Sequence, residues 1–233
     1  MSKTQPRLTG LLDRVEREYG VQKSAEPRDA LGLLLFRNSG YPQSDANCTN
    51  GFAALKAEIG LQPDEILGAP VATLRKAMRA GGIVPELRAQ RLREIATRVR
   101  DEYGNNLTEA LRLPLLDARK VLASFPTISE AGADKILLFT RNVPVAALPS
   151  NCLQVPLRLG YGRDTGSWSV GYRTAREAIA SELPETFEDR IRAYLLLKRL
   201  GHEVCKRSNP RCDRCPVARS CPYFNKLKSA RTR

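Results

Sequence analysis

Four cysteines crowd a short stretch near the C-terminal end of the sequence. They lie within seventeen residues at the spacing C-x6-C-x2-C-x5-C. The stretch is rich in Pro, Arg and Asn and has too few apolar groups to fold alone, so a bound metal centre would supply the missing free energy. Zinc and an iron–sulfur cluster both accept four thiolates. The candidate ligands are Cys205, Cys212, Cys215 and Cys221.

The spacing helps to choose between these metal groups. Zinc sites usually come as two close pairs of ligands separated by a longer stretch. Here only Cys212 and Cys215 are close, and single cysteines flank them on wider loops, which favours a cluster. Disulfides are disfavoured because no secretory signal opens the chain and a reducing compartment is expected. Unligated buried cysteines are disfavoured because the segment is polar.

The charge balance indicates the class of partner. Lys and Arg number 38 against 25 Asp and Glu, so the net charge is +13 and the pI is near 9.8. This excess predicts binding to nucleic acid, although some basic soluble proteins bind nothing acidic. The longest apolar run, near 33–36, is too short for a membrane span. Since His202 is the one histidine, any chemistry should use Asp, Glu, Lys, Tyr or a bound water.

Helical periodicity dominates the sequence and almost nothing reads as a strand, so we predict an all-α fold on short loops. Leu8, Leu11, Leu12 and Val15 indicate an amphipathic first helix that ends before Pro27. The helix that follows is apolar on nearly all sides and is expected to be central. The later predicted helices span about 30–38, 46–60, a short one from 63, 74–80, 86–103, 117–124, 174–181 and 188–200.

Local signals set several of these boundaries. Asp29 is the predicted N-cap of the helix over 30–38, and Ser44 or Asp45 that of the next. Thr73 is the predicted N-cap of the helix over 74–80, which the glycine pair at 81–82 should end. The tail adds basic residues that are expected to stay disordered without a nucleic-acid partner. They are Lys226, Lys228, Arg231 and Arg233.

Residues 125–139 read as a helix end, a tight Pro-led turn and a second helix. In such a hairpin, backbone amides and the helix N-terminus form a concave donor site for a DNA phosphate, without reading sequence. A plain helical hairpin in the core is the alternative. The predicted contacts are Thr127, Ile128, Ser129 and Gly132.

The cysteine spacing, the hairpin and the helix ending in Arg158-Leu159-Gly160, in their order, resemble the endonuclease III family of helix-hairpin-helix DNA glycosylases. The resemblance covers roughly residues 29–224. It implies a 4Fe-4S cluster that is mainly architectural, with a loop over 205–221 that presents basic side chains to DNA phosphates. Arg211 and Arg214 are the predicted contacts; Lys206, Arg207 and Arg219 are the other cations of the loop.

The family resemblance also implies two helical lobes with DNA in the cleft between them. One would comprise 27–141 and contain the hairpin. The other would combine 1–26 with 142–233 and contain the cluster loop.

The hairpin departs from the family pattern, because Phe-Pro-Thr-Ile-Ser stands where Leu-Pro-Gly-Val-Gly is usual. Glycines permit a positive φ and close approach of a phosphate. Thr127 and Ser129 must therefore take ordinary φ values or carry strain. Their hydroxyls are expected to add donors to the phosphate.

The catalytic positions depart further. The family's lysine, which attacks the sugar in members that also cleave the strand, corresponds to Ala131. Its aspartate corresponds to Pro149. Lys135 lies one turn on but is expected to be a surface cation, Asp134 lies on another face, and Asp45 is expected to cap a helix. No catalytic acid can be named, and a Schiff-base lyase is not expected.

Two further family roles fall on predicted loops. Ile83, beside a glycine, corresponds to the residue that wedges into the duplex when a base is flipped out. Tyr41 lies near the residue that fills the gap and would stack on a base. Packing in the core is the alternative for both residues.

These observations predict a monomeric base-excision repair protein, similar to DNA glycosylases. It would bind double-stranded DNA with damaged or mismatched bases and flip a base for cleavage of the N-glycosidic bond. The alternatives are a non-catalytic protein that binds damaged DNA and an electron-transfer protein associated with DNA. No membrane partner is expected. The expected location is the cytoplasm, or the nucleoid in a bacterium.

Overall fold

The computed structural model describes residues 7–231. This part of the chain forms helices and four short 3₁₀ turns without any strand, which confirms the predicted all-α class. No helix in it is both long and apolar enough to cross a membrane. The α-helices are α1 Leu8–Tyr19, α2 Ala30–Gly40, α3 Asp45–Glu58, α4 Pro63–Gly68, α5 Val71–Met78, α6 Pro85–Tyr103, α7 Thr108–Arg112, α8 Leu115–Ala123, α9 Glu130–Phe139, α10 Gln154–Arg158, α11 Trp168–Ala180, α12 Phe187–Glu203 and α13 Pro222–Arg231.

The chain divides into two compact units. The continuous unit comprises residues 25–142 and contains α2 to α9. The split unit combines residues 1–24 with 143–233 and contains α1 and α10 to α13. Each unit buries its own apolar side chains and so has a core of its own.

The core of the continuous unit forms around α2, as the sequence predicted. Leu34 and Leu35 are completely buried, and Leu33 and Phe36 nearly so. A helix that is apolar on all sides must be covered on all sides, and α2 packs against α3, α6 and α9. The long helix α6 contributes Leu92, Ile95 and Val99 to the same core.

The hairpin helices α8 and α9 are joined by a buried ion pair. The Nε atom of Arg119 on α8 lies 2.6 Å from Oδ1 of Asp134 on α9. The Asp134 side chain is completely buried, and that of Arg119 is 16% exposed. A buried carboxylate is tolerated only when it is paired, so this contact fixes one helix of the hairpin against the other.

The split unit is built around α12. The buried stripe Leu8, Leu11, Leu12 and Val15 places α1 against α12, as its spacing predicted. Polar contacts at the edge of this stripe add to the packing, because Arg192 of α12 pairs with two carboxylates of α1. Chain segments distant in sequence thus form one unit.

Two elements differ from the sequence-based expectation. Helix α11 begins at Trp168, six residues before the predicted start, where Trp168 stacks on Tyr172 one turn later with ring centroids 5.1 Å apart. The tail forms helix α13 rather than staying disordered. It begins at Pro222, a favoured first residue, and Tyr223 and Phe224 are partly buried against the cysteine segment. Arg233 lies outside the described residues.

The predicted helix caps were partly correct. Asp29 accepts a hydrogen bond from the Gly32 amide at 2.7 Å, which confirms it as the N-cap of α2. Ser44 is the N-cap of α3, and Asp45 is the first helical residue instead. Thr73 lies inside α5, because that helix begins two residues earlier, directly after a proline.

Loss of the Asp134 charge should destabilise the protein. The Asp134→Asn variant leaves the Arg119 guanidinium without its partner, at an expected cost of roughly 3 kcal/mol in the free energy of unfolding. Urea denaturation followed by circular dichroism measures it. Asp117→Asn is the matched control, since Asp117 pairs with Lys120 on the surface of α8, and it should cost less than about 1 kcal/mol. Equal effects of the two changes would contradict a structural role for the buried pair.

Candidate metal centre and nucleic-acid interface

The four clustered cysteines surround one cavity in the split unit. After α12 ends, the chain passes Cys205 and makes 3₁₀ turns at 212–214 and 218–220 before α13 begins. Cys205, Cys212, Cys215 and Cys221 all line a cavity of about 20 Å³, and apolar side chains form most of the remaining wall. All six cysteines of the chain are free thiols. The fold therefore brings together the four residues that the spacing singled out.

The surroundings of these thiols resist the build-up of negative charge. Burial raises the pKa of Cys205, although the nearby Arg158 guanidinium opposes this. Burial also raises the pKa of Cys215 to about 11, and the three neighbouring thiols add to the increase. Thiolates this close together repel one another, so a bound cation would be needed to stabilise them as a set.

Side chains of helix α10 hold the cysteine segment in place by donating hydrogen bonds to the backbone carbonyls of that segment. Arg158 donates from Nη1 to the carbonyl of Lys206 at 2.6 Å and from Nη2 to that of Arg207 at 2.8 Å. Nη1 also lies 3.5 Å from Sγ of Cys205. Gln154 donates to the Cys205 carbonyl at 2.9 Å. The sequence flagged Arg158 only as part of a family pattern, because contacts to residues about fifty positions away leave no local signal.

The donor set of the cavity suits a group that takes thiolate ligands. No carboxylate or imidazole lines its wall, and His202 belongs to α12 instead. Among residues 7–231, no three His, Cys, Asp or Glu side chains are close enough together to hold a single metal ion. Zinc and an iron–sulfur cluster both take a set of four thiolates as ligands.

The turn between α8 and α9 contains one strained residue. Thr127 has φ of 63°, in the left-handed region that a β-branched residue rarely occupies. Ser129 has an ordinary φ of −91° and caps α9 by accepting from the Gly132 amide at 3.4 Å. Of the two residues that stand where the family has glycine, only Thr127 therefore carries strain. Strain of this kind persists only where neighbouring groups enforce it.

Asn38 of α2 supplies that support. Its Nδ2 donates to the carbonyls of Leu34 and Pro126, both at 3.0 Å, and its Oδ1 accepts from Oγ1 of Thr127 at 3.1 Å. The Thr127 hydroxyl thus donates within the protein, and its donation to a phosphate stays a prediction that would require it to leave Asn38. Ser129 accepts as a cap and keeps its own proton to donate. Ile128 is buried, and its amide donates to the Phe125 carbonyl at 3.2 Å.

Tyr41 and Ile83 lie in two neighbouring loops of the continuous unit. Ile83 is 67% exposed, which excludes packing in the core. Tyr41 follows α2 and is partly buried, with the Arg37 guanidinium 4.0 Å from its ring centre. The two loops approach each other closely, because a Cβ atom at Gly82 would lie 3.2 Å from Cγ of Gln43.

The two positions that the family resemblance assigns to catalysis hold Ala131 and Pro149, whose side chains carry neither an amine nor a carboxylate. Ala131 is buried in the first turn of α9, and Pro149 is buried before the 3₁₀ turn at 150–152. Lys135 is not the expected surface cation. Its ammonium donates to the Glu26 carboxylate, and the two side chains are only 21% and 10% exposed. Sequence reasoning missed Glu26, which lies 109 residues from its partner.

Solved structures with a similar fold include two of endonuclease III and one of a thymine-DNA glycosylase. A trapped covalent complex of endonuclease III with DNA has a TM-score of 0.73 and 19% sequence identity, over 95% of this chain and 97% of that one. A non-covalent endonuclease III–DNA complex gives 0.74 and 19% over the same shares. A thermostable thymine-DNA glycosylase gives 0.71 and 15% over 94% of this chain and 96% of that one.

Sequence comparison alone finds no matching family model and no matching curated protein. The structural likeness spans nearly the whole of both chains. The chain therefore has the all-α fold of the endonuclease III-like DNA glycosylases.

Proposed function

We propose that this protein is a base-excision repair protein of the DNA glycosylase type, which binds duplex DNA with damaged or mismatched bases as a monomer. The observation that carries the proposal is the convergence of four thiols on one cavity within a fold shared with endonuclease III over 95% of the chain. A fold alone does not assign an activity. The chemistry of the individual surfaces therefore has to support the assignment.

The cysteine segment supplies the first surface. Arg207, Arg211, Arg214 and Arg219 are all exposed on it. Guanidinium groups bind phosphates through paired hydrogen bonds and release counterions when they do so. Because α10 holds the backbone of residues 205–207 and the four cysteines line one cavity, we propose that these arginines contact the DNA backbone as a preformed patch.

A 4Fe-4S cluster is the proposed occupant of the cavity. Cys205, Cys212, Cys215 and Cys221 would hold it, and it would supply bonds that tie the polar segment together. Arg158 would remain beside Cys205, where its positive charge offsets the negative charge of the thiolate. The role of the cluster would be architectural.

The hairpin and the two neighbouring loops supply the remaining contacts. The N-terminus of a helix favours an anion, and we propose a phosphate at the start of α9. The exposed Ile83 would enter the duplex where a base has left the stack, and Tyr41 would stack beside it.

Cleavage of the N-glycosidic bond requires a carboxylate near the sugar, either to stabilise developing positive charge or to activate water. Neither Ala131 nor Pro149 can supply it. Asp134 is buried in its pair with Arg119, and Glu26 is paired with Lys135. These pairs favour a second candidate function, a protein of the same fold that finds and holds damaged DNA without cleaving it.

The cluster assignment predicts a coloured protein. After purification without oxygen, we expect a yellow-brown protein with about four iron atoms per chain, measured by metal analysis and absorption spectroscopy. Cys212→Ser should lose the colour and loosen the segment, whereas Cys48→Ser should keep both, since Cys48 is buried in the other unit. A colourless protein with one zinc ion per chain would refute the assignment.

The phosphate-binding patch predicts a salt-dependent affinity. Replacement of Arg211 and Arg214 by Ala should weaken binding to all duplexes alike and reduce the slope of log affinity against log salt by roughly two. Fluorescence anisotropy at several salt concentrations measures this. The control replaces Arg100 and Arg112, exposed arginines of the continuous unit that pair with acids, and removes the same net charge. If both double variants behave alike, only the total charge matters and the patch is wrong.

The absence of a lysine at position 131 predicts the outcome of an assay that traps a Schiff base between protein and DNA with borohydride. With duplexes that each carry one lesion or mismatch, no borohydride-trapped adduct should form, because no amine stands at Ala131 to attack the sugar. Base release is measured in parallel by alkaline cleavage of the abasic product. Release without trapping supports a glycosylase. Tight binding of abasic DNA without release supports the non-catalytic candidate. An adduct that disappears in Lys135→Ala would make Lys135 the nucleophile and refute the assignment of position 131.

A further inference from the structure

The loop before α6 ends in an exposed apolar tip. Ile83 and Val84 of this loop are 67% and 52% exposed, and Leu87 in the first turn of α6 is 39% exposed. Val84 has φ of 58°, a left-handed conformation that is strained for a β-branched residue. Gly82 before it has φ of 102°, which favours glycine. Three solvated apolar side chains on a strained backbone need a support that keeps them in place.

Arg88, in the first turn of α6, supports the tip with a buried guanidinium group. Its side chain is 1% exposed. Nη1 donates to the carbonyl of Ile83, and Nη2 donates to the carbonyl of Gly40 at 3.3 Å. Burial lowers the pKa of this guanidinium, and its Nε has no hydrogen-bond partner among the described residues. An arginine held at such a cost is poorly explained by packing, because an apolar side chain of similar length would avoid that cost.

Of the two carbonyls that Arg88 binds, one ends α2 directly before Tyr41 and the other lies in the loop before α6, so both stand at segments assigned to base displacement. Gly40 precedes Tyr41, and Ile83 is the tip itself. The segments that precede the two loops are also in direct contact, because a Cβ atom at Gly81 would lie 1.8 Å from the Ser39 carbonyl oxygen. The planar fork of arginine can bind two acceptors at once in a fixed geometry, which lysine cannot do.

We propose that Arg88 is a positioning residue that joins the Ile83–Val84 tip to the turn bearing Tyr41, so that both enter damaged duplex as one rigid unit. This inference rests on the proposed function, since it presupposes that the tip enters DNA. Arg88 itself is buried and does not touch the DNA. It acts through the two backbone carbonyls, and its loss should affect displacement of a base more than binding of the backbone.

The test separates these two effects. A duplex with 2-aminopurine beside a stable abasic analogue reports unstacking as increased fluorescence, and anisotropy on the same duplex reports affinity. For Arg88→Met, we expect the fluorescence increase at saturating protein to fall about tenfold, because a small displacement of a positioned group has large effects. The affinity should change less than about twofold, since phosphate contacts dominate it. Arg88→Lys should recover part of the fluorescence increase, because an ammonium can bind one of the carbonyls.

Arg93→Met is the matched control. Arg93 also lies on α6 and donates to backbone carbonyls, but those belong to the end of α4 at 66–69. It should keep the fluorescence increase of the wild type. An equal loss in Arg93→Met would mean that any weakened α6 contact suffices and would overturn the proposal. Full fluorescence in Arg88→Met would overturn it as well.

Two further outcomes keep the test decisive. If Arg88→Met does not fold, Arg88→Lys decides, and unstacking at the wild-type level in that variant would count against the two-carbonyl geometry. If the wild-type protein binds the duplex without any fluorescence increase, the proposed entry of the tip fails, and the inference about Arg88 fails with it. A wild-type increase that persists in Arg88→Met overturns the inference alone and leaves the proposed function standing.

Discussion

The loops and helix ends of this protein depend on one constraint, which is that backbone carbonyls outside a helix need donors. An all-α chain leaves the last carbonyls of every helix without intrahelical partners. Here long side chains reach many of them. Arg93 binds the end of α4, Arg98 donates to the Ser124 carbonyl at 2.8 Å, and Arg190 donates to the Pro144 carbonyl. Asn38, Arg88 and Arg158 do the same for the three segments assigned to DNA.

This use of arginine changes the meaning of the net charge. The excess of +13 predicts a nucleic-acid partner if the cations lie free on the surface. On α6, whose sequence is rich in arginine, Arg88 and Arg93 instead bind carbonyls and Arg100 pairs with Asp101. The four arginines of the cysteine segment at 207, 211, 214 and 219 are exposed. Composition alone therefore does not show which cations are available to a phosphate.

Local signals in the sequence predicted the helices, and distance in sequence explains most of what they missed. The Asp29 cap, the stripe on α1 and the apolar α2 each depend on residues within a few positions of one another, so their patterns could be read directly. The pair of Asn38 and Thr127 spans 89 positions, and no periodicity encodes it. Helix α13 was missed for a related reason, since its charged sequence forms a helix only where its aromatic residues pack against the cysteine segment.

The two positions that the family resemblance assigns to catalysis also follow the demands of local structure. Ala131 and Pro149 are buried, and a lysine or an aspartate there would have to be desolvated and paired. Alanine is the best helix former, and proline fixes φ near the −68° that Pro149 adopts before its 3₁₀ turn. Both residues thus favour their local structure. The contacts that shape the hairpin, the apolar tip and the cysteine segment use none of the side-chain atoms that base release would require, so the proposed DNA binding does not depend on the proposed chemistry.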